Sequence, residues 1–126
     1  MKIHNYKFFG LGLFFIGVVM LGQELYRPWI NRNGIDDFGL ANYWPSFFGC
    51  FCAVFFALSF VKKNEIVSCS IWTGVGCIAY EILQPWLGTG VFDWADLLAV
   101  CIAGVISTLG LLALSTRSQS KHASKT

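Results

Sequence analysis

Carboxylates placed in two copies of one short motif are the residues of this chain that could do chemistry. The segment "ELYRPWI" begins at Glu24 and the segment "EILQPWL" begins at Glu81, so the acid, the proline and the tryptophan recur after 57 positions. Carboxylates can hold a divalent cation, bind a cationic group or act as a general acid or base. The candidate ligand-binding residues are the polar members of both copies and two acids after the second copy: Glu81, Gln84, Asp93, Asp96, Glu24 and Arg27.

The spacing within each copy predicts that its two polar residues share one helix face. Glu24 and Arg27 are three positions apart, and so are Glu81 and Gln84. Residues at this spacing are neighbours on an α-helix. A carboxylate at the edge of the hydrocarbon is costly unless it is paired, hydrogen-bonded or hydrated. We therefore expect Arg27 to pair with Glu24 or, across the bundle, with Glu81.

Four aspartates lie in the polar links that follow the two copies. Asp93 and Asp96 stand at the start of the last predicted helix, where exposed amides and the helix dipole favour carboxylates. Asp36 and Asp37 lie in a longer link, and we expect them to cap a helix or to meet water. Together with the two glutamates, these residues predict that one end of the protein is acidic. We call this end the acidic mouth.

The composition predicts that membrane-spanning helices position these residues. The chain of 126 residues is 56% apolar and 13% charged, which is typical of a membrane protein. Residues 8–22, 47–61, 66–80 and 97–115 contain no charge, and each window approaches the roughly 20 residues that a spanning helix needs. The predicted fold is an all-α integral membrane four-helix bundle. Pro28 and Pro85 are expected to end or bend the first helix of each hairpin.

The repeat predicts two duplicated transmembrane hairpins, about 5–62 and about 65–116, within one domain of residues 1–116. Both hairpins begin on the same side, so they would be parallel repeats, and both copies of the motif would face one surface. Most cations lie on the other side, which predicts cytoplasmic termini and an extracytoplasmic mouth rimmed by aromatic residues. Residues 117–126 are polar and basic, and we expect a disordered cytoplasmic tail.

Several functional classes are disfavoured by the residues that the chain carries. The two histidines, His4 and His122, lie near the ends, and the chain has no Ser/His/Asp pattern in its centre. The five cysteines all lie in apolar windows, where they are expected to serve packing. A net charge of +2 without a basic aromatic face does not indicate nucleic-acid binding.

The second hairpin resembles a known family. The segment "YEILQPWLGTGVFDWADLLAVCIAG", residues 80–104, is similar to the signature of the VanZ-like membrane proteins: Glu-x-x-Gln at a helix end, followed by Asp-x-x-Asp at the start of the next helix. The resemblance implies a small polytopic membrane protein, and the founding member of the family is linked to low-level teicoplanin resistance. It also implies that Glu81, Gln84, Asp93 and Asp96 are the family's polar residues.

This chain departs from the family pattern at two places. The pattern usually carries an arginine between the glutamine and the first aspartate, whereas residues 87–92 contain no cation. It also carries an asparagine soon after the second aspartate, where this chain has alanine and valine at positions 99 and 100. The first hairpin contains an arginine or asparagine at three positions that could take these places in the folded protein: Arg27, Arg32 and Asn42.

Three functions remain open at this stage. In the first, a VanZ-like protein of the bacterial inner membrane binds a lipid headgroup, a lipid-linked cell-wall intermediate or a glycopeptide-type amphiphile at its mouth. In the second, the protein is a small or immunity-type subunit whose phenylalanine-rich hairpin docks another membrane protein. In the third, the carboxylates hold a divalent cation for a membrane enzyme acting on lipid phosphates. We expect no cofactor in the first two cases, and membrane lipids, another membrane protein or a second copy as partners.

Overall fold

The computed structural model describes residues 3–123, with side chains to residue 116, and this part of the chain is helical without strands. The elements in chain order are α1 (Tyr6–Leu21), a π-helix (Gly22–Tyr26), α2 (Arg27–Asn33), α3 (Leu40–Leu58), a 3-10 turn (Lys63–Glu65), α4 (Ile66–Leu87) and α5 (Trp94–Ala123). The prediction of an all-α protein is confirmed.

Four helical segments are long and apolar enough to cross a membrane. They are Tyr6–Asn33, Leu40–Leu58, Lys63–Leu87 and Trp94–Thr116. The first segment joins α1, the π-helix and α2 into 28 residues, or about 42 Å at 1.5 Å per residue. This length exceeds the roughly 30 Å of the hydrocarbon. The protein is therefore consistent with a multi-pass membrane protein, as the uncharged windows predicted.

The first helix passes through Pro28, where the sequence predicted an end or a bend. A proline inside a helix lacks a donor and clashes with the carbonyl group four residues earlier. Here the preceding turn is a π-helix, and the Arg27 amide donates to the carbonyl oxygen of Gly22, five residues back. The wider turn accommodates the proline, and the helix ends only at Gly34, whose φ is 59°. In α4, Pro85 is followed by two more helical residues before Gly88, whose φ is 67°.

Helix α3 is the centre of the bundle. It packs against α1, α4 and α5, and α4 also packs against α5. Among the described residues, α1 contacts neither α4 nor α5. The buried core joins Cys50, Val54 and Leu58 of α3 to Val100 and Ala103 of α5. The first helix is consequently covered on one face only, by α3.

The two antiparallel pairs use different side chains at their interfaces. Between α1 and α3, the Phe15 ring stacks on Phe51 and Phe55 with centroids 5.2 and 5.6 Å apart. Between α4 and α5, a Cβ added to Gly74 would lie 3.7 Å from the Cα atom of Gly104. Small residues allow this close backbone approach.

Helix α5 extends beyond the predicted membrane domain. Its backbone stays helical to Ala123, into the segment 117–126 for which we predicted a disordered tail. A helix that is already formed adds further residues without a new nucleation step. Residues 124–126 of the predicted tail lie outside the described residues.

Candidate functional site

Glu81 is placed inside the bundle rather than at its surface. Only 6% of its surface is exposed, and it is the one buried Asp, Glu, Lys or Arg among residues whose side chains the structure describes. It lies in the last turns of α4. This helix packs against α3 and α5. An ionisable side chain buried in a membrane-spanning helix is costly and marks a functional site by default.

The side chain of Gln84 holds Glu81 in place from one turn further along α4. The Gln84 amide nitrogen donates a hydrogen bond to Glu81 Oε2. The link after α4 folds back over this turn, because the Thr89 amide donates to the Gln84 carbonyl oxygen at 3.2 Å. A Cβ added to Gly90 would lie 2.5 Å from Gln84 Oε1. Gly90 therefore leaves the space that the Gln84 side chain occupies.

Asp96 brings a second carboxyl group to Glu81 from the first turn of α5. Both carboxyl groups have the Ser46 side chain as a neighbour. Asp96 Oδ1 is fully buried and has no hydrogen-bond partner among the described residues. An unsatisfied buried polar atom is rare in folded proteins and requires an explanation, such as a missing ligand.

Ser46 on α3 completes this group of side chains. Its hydroxyl group lies beside both Glu81 and Asp96, although it forms no hydrogen bond of ordinary geometry with either in the described part of the chain. Three helices thus converge on one point through Glu81 and Gln84 of α4, Asp96 of α5 and Ser46 of α3. We call these four residues the carboxyl site.

The remaining aspartates of the predicted acidic mouth satisfy local backbone amides. Asp93 immediately precedes α5, and its Oδ1 accepts a hydrogen bond from the Ala95 amide at 2.8 Å. Asp37 lies two residues before Gly39, the N-cap of α3, and its Oδ2 accepts from the Ala41 amide in the first turn of that helix at 2.8 Å. Asp36 accepts from the Phe38 amide within the link. Each of these three acids therefore has a local structural role as the acceptor of a backbone amide.

Glu24 and Arg27 lie outside the carboxyl site. Both are exposed, and Glu24 belongs to the π-helix. No Lys or Arg lies within 4.0 Å of a carboxylate anywhere in the described part of the chain, so neither expected ion pair of Arg27 forms. The wider π-turn alters the angular offset between Glu24 and Arg27. Asn42 is exposed as well.

The carboxyl site presents oxygen atoms that can bind a cationic group. Among residues 3–116, whose side chains the structure describes, no three His, Cys, Asp or Glu side chains are grouped so that they could hold a metal ion. The carboxyl site offers two carboxylates, one amide and one hydroxyl group. Such oxygen atoms can accept the hydrogen bonds that an ammonium group donates.

Two residues of this arrangement were missed by the sequence reasoning. Ser46 directly follows Pro45 at the start of an apolar helix, and a single hydroxyl group in such a stretch is a weak signal. Gly90 lies in "GTG", which resembles any flexible link. The roles of both residues depend on contacts between elements that are distant along the chain or fold back on each other.

Comparisons of the chain with protein-family models, with curated proteins and with solved structures found no match. The carboxyl site and the sequence resemblance are therefore the features from which a function can be inferred.

Proposed function

We propose that this protein is a VanZ-like integral membrane protein of the bacterial inner membrane that binds the ammonium group of an amphiphile at its extracytoplasmic end. The ligand would be a lipid headgroup, a lipid-linked cell-wall intermediate or a glycopeptide-type amphiphile that carries an amine. One observation carries the proposal. Glu81 is 94% buried, from an exposed fraction of 6%, and it shares its neighbour Ser46 with Asp96, whose buried Oδ1 has no partner among the described residues.

A cation resolves the electrostatic cost of this arrangement. Two adjacent carboxylates disfavour each other's charged form, and a buried charge without a partner is strongly unfavourable. An ammonium group between Glu81 and Asp96 would neutralise one charge directly and give Asp96 Oδ1 its missing donor. The Ser46 hydroxyl group would accept a further hydrogen bond. A hydroxyl-bearing amphiphile of the same shape would leave both carboxylate charges uncompensated.

The local structure of the two hairpins supports the proposed duplication. In each, the helix that carries the motif ends at a left-handed glycine, Gly34 or Gly88. In each, an aspartate before the following helix accepts a hydrogen bond from an amide of its first turn, Asp37 from Ala41 and Asp93 from Ala95. The proposed orientation follows from the cations, because Lys62 and Lys63 lie at the opposite end of the bundle from the carboxyl site. The site would then open towards the outer leaflet.

Binding of decylamine to the purified protein in detergent tests the proposal, with decanol as the uncharged analogue. We expect decylamine to bind at least tenfold more tightly than decanol. The double variant Glu81→Gln with Asp96→Asn should lose this difference. Glu65→Gln is the matched control, since Glu65 lies at the other end of the bundle in the 3-10 turn. Equal decylamine affinity in the wild-type protein and a folded double variant would refute the carboxyl site as a binding site.

A cellular test addresses the glycopeptide-type ligand. Where expression of the protein raises resistance to a glycopeptide that bears an amine and a lipid chain, the same double variant should abolish the effect at equal membrane abundance. Unchanged resistance in the double variant would show that the carboxyl site has no role in drug tolerance.

A further inference from the structure

The carboxyl site contains hydrogen-bond acceptors that lack donors. Asp96 Oδ1 is buried and has no hydrogen-bond partner among the described residues. The Ser46 side chain is a neighbour of both Asp96 and Glu81, and a hydroxyl oxygen can accept as well as donate. The N–H donor of the site, the Gln84 amide nitrogen, is already directed at Glu81 Oε2. A ligand that satisfies these acceptors must therefore bring its own donors.

The donors must be carried by a compact group, because the site lies inside the bundle. Only 6% of the Glu81 surface is exposed. Glu81, Asp96 and Ser46 belong to three different helices, α4, α5 and α3, and these helices pack against one another. A bulky group among them would have to push packed side chains or helices apart, which is unfavourable. The site is thus suited to a small group with several donors.

A primary ammonium group meets both requirements. It carries three N–H donors on one nitrogen atom, one for each of the acceptor side chains Glu81, Asp96 and Ser46. A quaternary ammonium group has the same charge but no N–H donor, so it would leave Asp96 Oδ1 unsatisfied at a cost in free energy. Sites for quaternary ammonium groups use cages of aromatic rings, and none of the four residues of the carboxyl site is aromatic.

We infer that the carboxyl site selects a primary ammonium group, as in an ethanolamine-type headgroup, over a quaternary ammonium group, as in a choline-type headgroup. The inference rests on the proposed function, since it takes the carboxyl site to be the amine-binding site. It adds that the number of N–H donors, and not the positive charge alone, determines the affinity.

A series of decyl ligands with one positive charge and different numbers of N–H donors tests the inference. Decylamine, N,N-dimethyldecylamine and decyltrimethylammonium have three, one and no N–H donors in their charged forms, and decanol is the uncharged reference. Binding to the full-length protein is measured in a non-ionic detergent at neutral pH. We expect the affinity to fall in this order, with decyltrimethylammonium about tenfold or more weaker than decylamine.

Ser46→Ala distinguishes the loss of a hydrogen bond from a lack of space. This substitution removes one acceptor, keeps both carboxyl groups and enlarges the site. We expect decylamine to bind about three- to tenfold more weakly, whereas decyltrimethylammonium should bind as it does to the wild-type protein. Ser107→Ala is the matched control, because Ser107 is a buried serine whose hydroxyl group donates to the carbonyl oxygen of Ala103 on its own helix at 2.7 Å.

Competition against decylamine distinguishes a phospholipid from another amphiphile as the source of the ammonium group. Mixed micelles that contain phosphatidylethanolamine should displace decylamine, whereas phosphatidylcholine with the same acyl chains should not. Equal competition by the two lipids would overturn the inference. Competition by neither lipid, with the decyl series graded as expected, would support it and assign the primary ammonium group to an amphiphile other than these phospholipids.

The decyl series also separates the inference from the proposed function. Equal affinities of the three charged ligands, each tighter than decanol, would overturn the inference and leave the proposed function intact. Decylamine that binds no tighter than decanol would overturn both. A gain of decyltrimethylammonium affinity in Ser46→Ala without a loss for decylamine would assign the selectivity to space and overturn the inference. A graded series that loses its preference for decylamine in Ser46→Ala, but not in Ser107→Ala, would support it.

Discussion

Gly22 lies directly against the indole of Trp44, at the point where the first helix changes from α- to π-geometry. A Cβ on Gly22 would overlap the indole ring, and the indole nitrogen also donates to the carbonyl oxygen of Val18, one turn earlier. The contact therefore requires a glycine at position 22 and a ring with a donor at position 44. It fixes the start of α3 against the first helix.

Gly22→Ala should destabilise the protein, because Trp44 must move and lose its hydrogen bond. Overpacking of this kind costs about 1–3 kcal/mol. The measurement is the free energy of unfolding in mixed micelles, with Gly17→Ala as the control on the same helix. Nothing lies within 4 Å of a Cβ at Gly17, so that substitution should be neutral or slightly stabilising. Equal stabilities of the two variants would show that Trp44 does not restrain the helix.

Asp93 and Asp96 should respond differently to substitution, although they are only three residues apart. Asp93 caps α5, so Asp93→Ala should lower the unfolding free energy by about 1 kcal/mol. Asp93→Ser should restore the cap, and both variants should bind decylamine as the wild-type protein does. Asp96→Asn should reduce decylamine affinity at least tenfold. Loss of affinity in Asp93→Ser would assign Asp93 to the binding site and contradict its role as a cap.

The number and approximate place of the helices could be predicted from the sequence because charges are expensive in hydrocarbon. Each window without charge overlaps one of the four membrane-length segments. The end of the first helix could not be predicted in this way. Whether Pro28 ends a helix depends on the turn before it, and the π-turn is stabilised by Trp44, which lies 22 positions after Gly22 in the sequence.

The difference in burial between the two motif glutamates also could not be predicted from the sequence. Glu24 and Glu81 have nearly the same neighbours along the chain, but α1 is covered only by α3, whereas α4 lies against both α3 and α5. The second glutamate is therefore buried and the first is exposed. Burial of a residue in a bundle depends on how the helices are arranged, and a local repeat does not record that arrangement.

The contact between Gly74 and Gly104 should tolerate a methyl group but not a larger side chain. A Cβ on Gly104 would lie 3.8 Å from the Cα atom of Gly74, which is an ordinary contact. Gly104→Ala should thus leave the unfolding free energy nearly unchanged, while Gly104→Leu should lower it by about 1–3 kcal/mol by forcing α4 from α5. Gly110→Leu on the same helix is the control, because a Cβ there meets nothing within 4 Å. A stable Gly104→Leu variant would mean that the two helices need not approach so closely.

Gly90→Ala should weaken amine binding without touching the ligand. The new Cβ would collide with Gln84 Oε1 and push the amide away from Glu81, which it contacts in the structure. We expect decylamine affinity to fall about three- to tenfold, or about 0.7–1.4 kcal/mol. A double-mutant cycle with Gln84→Ala tests whether Gly90 acts through the Gln84 side chain, because coupled residues give non-additive effects. In the Gln84→Ala background, Gly90→Ala should have no further effect on affinity. Additive losses would show that Gly90 acts through the link itself rather than through the Gln84 side chain.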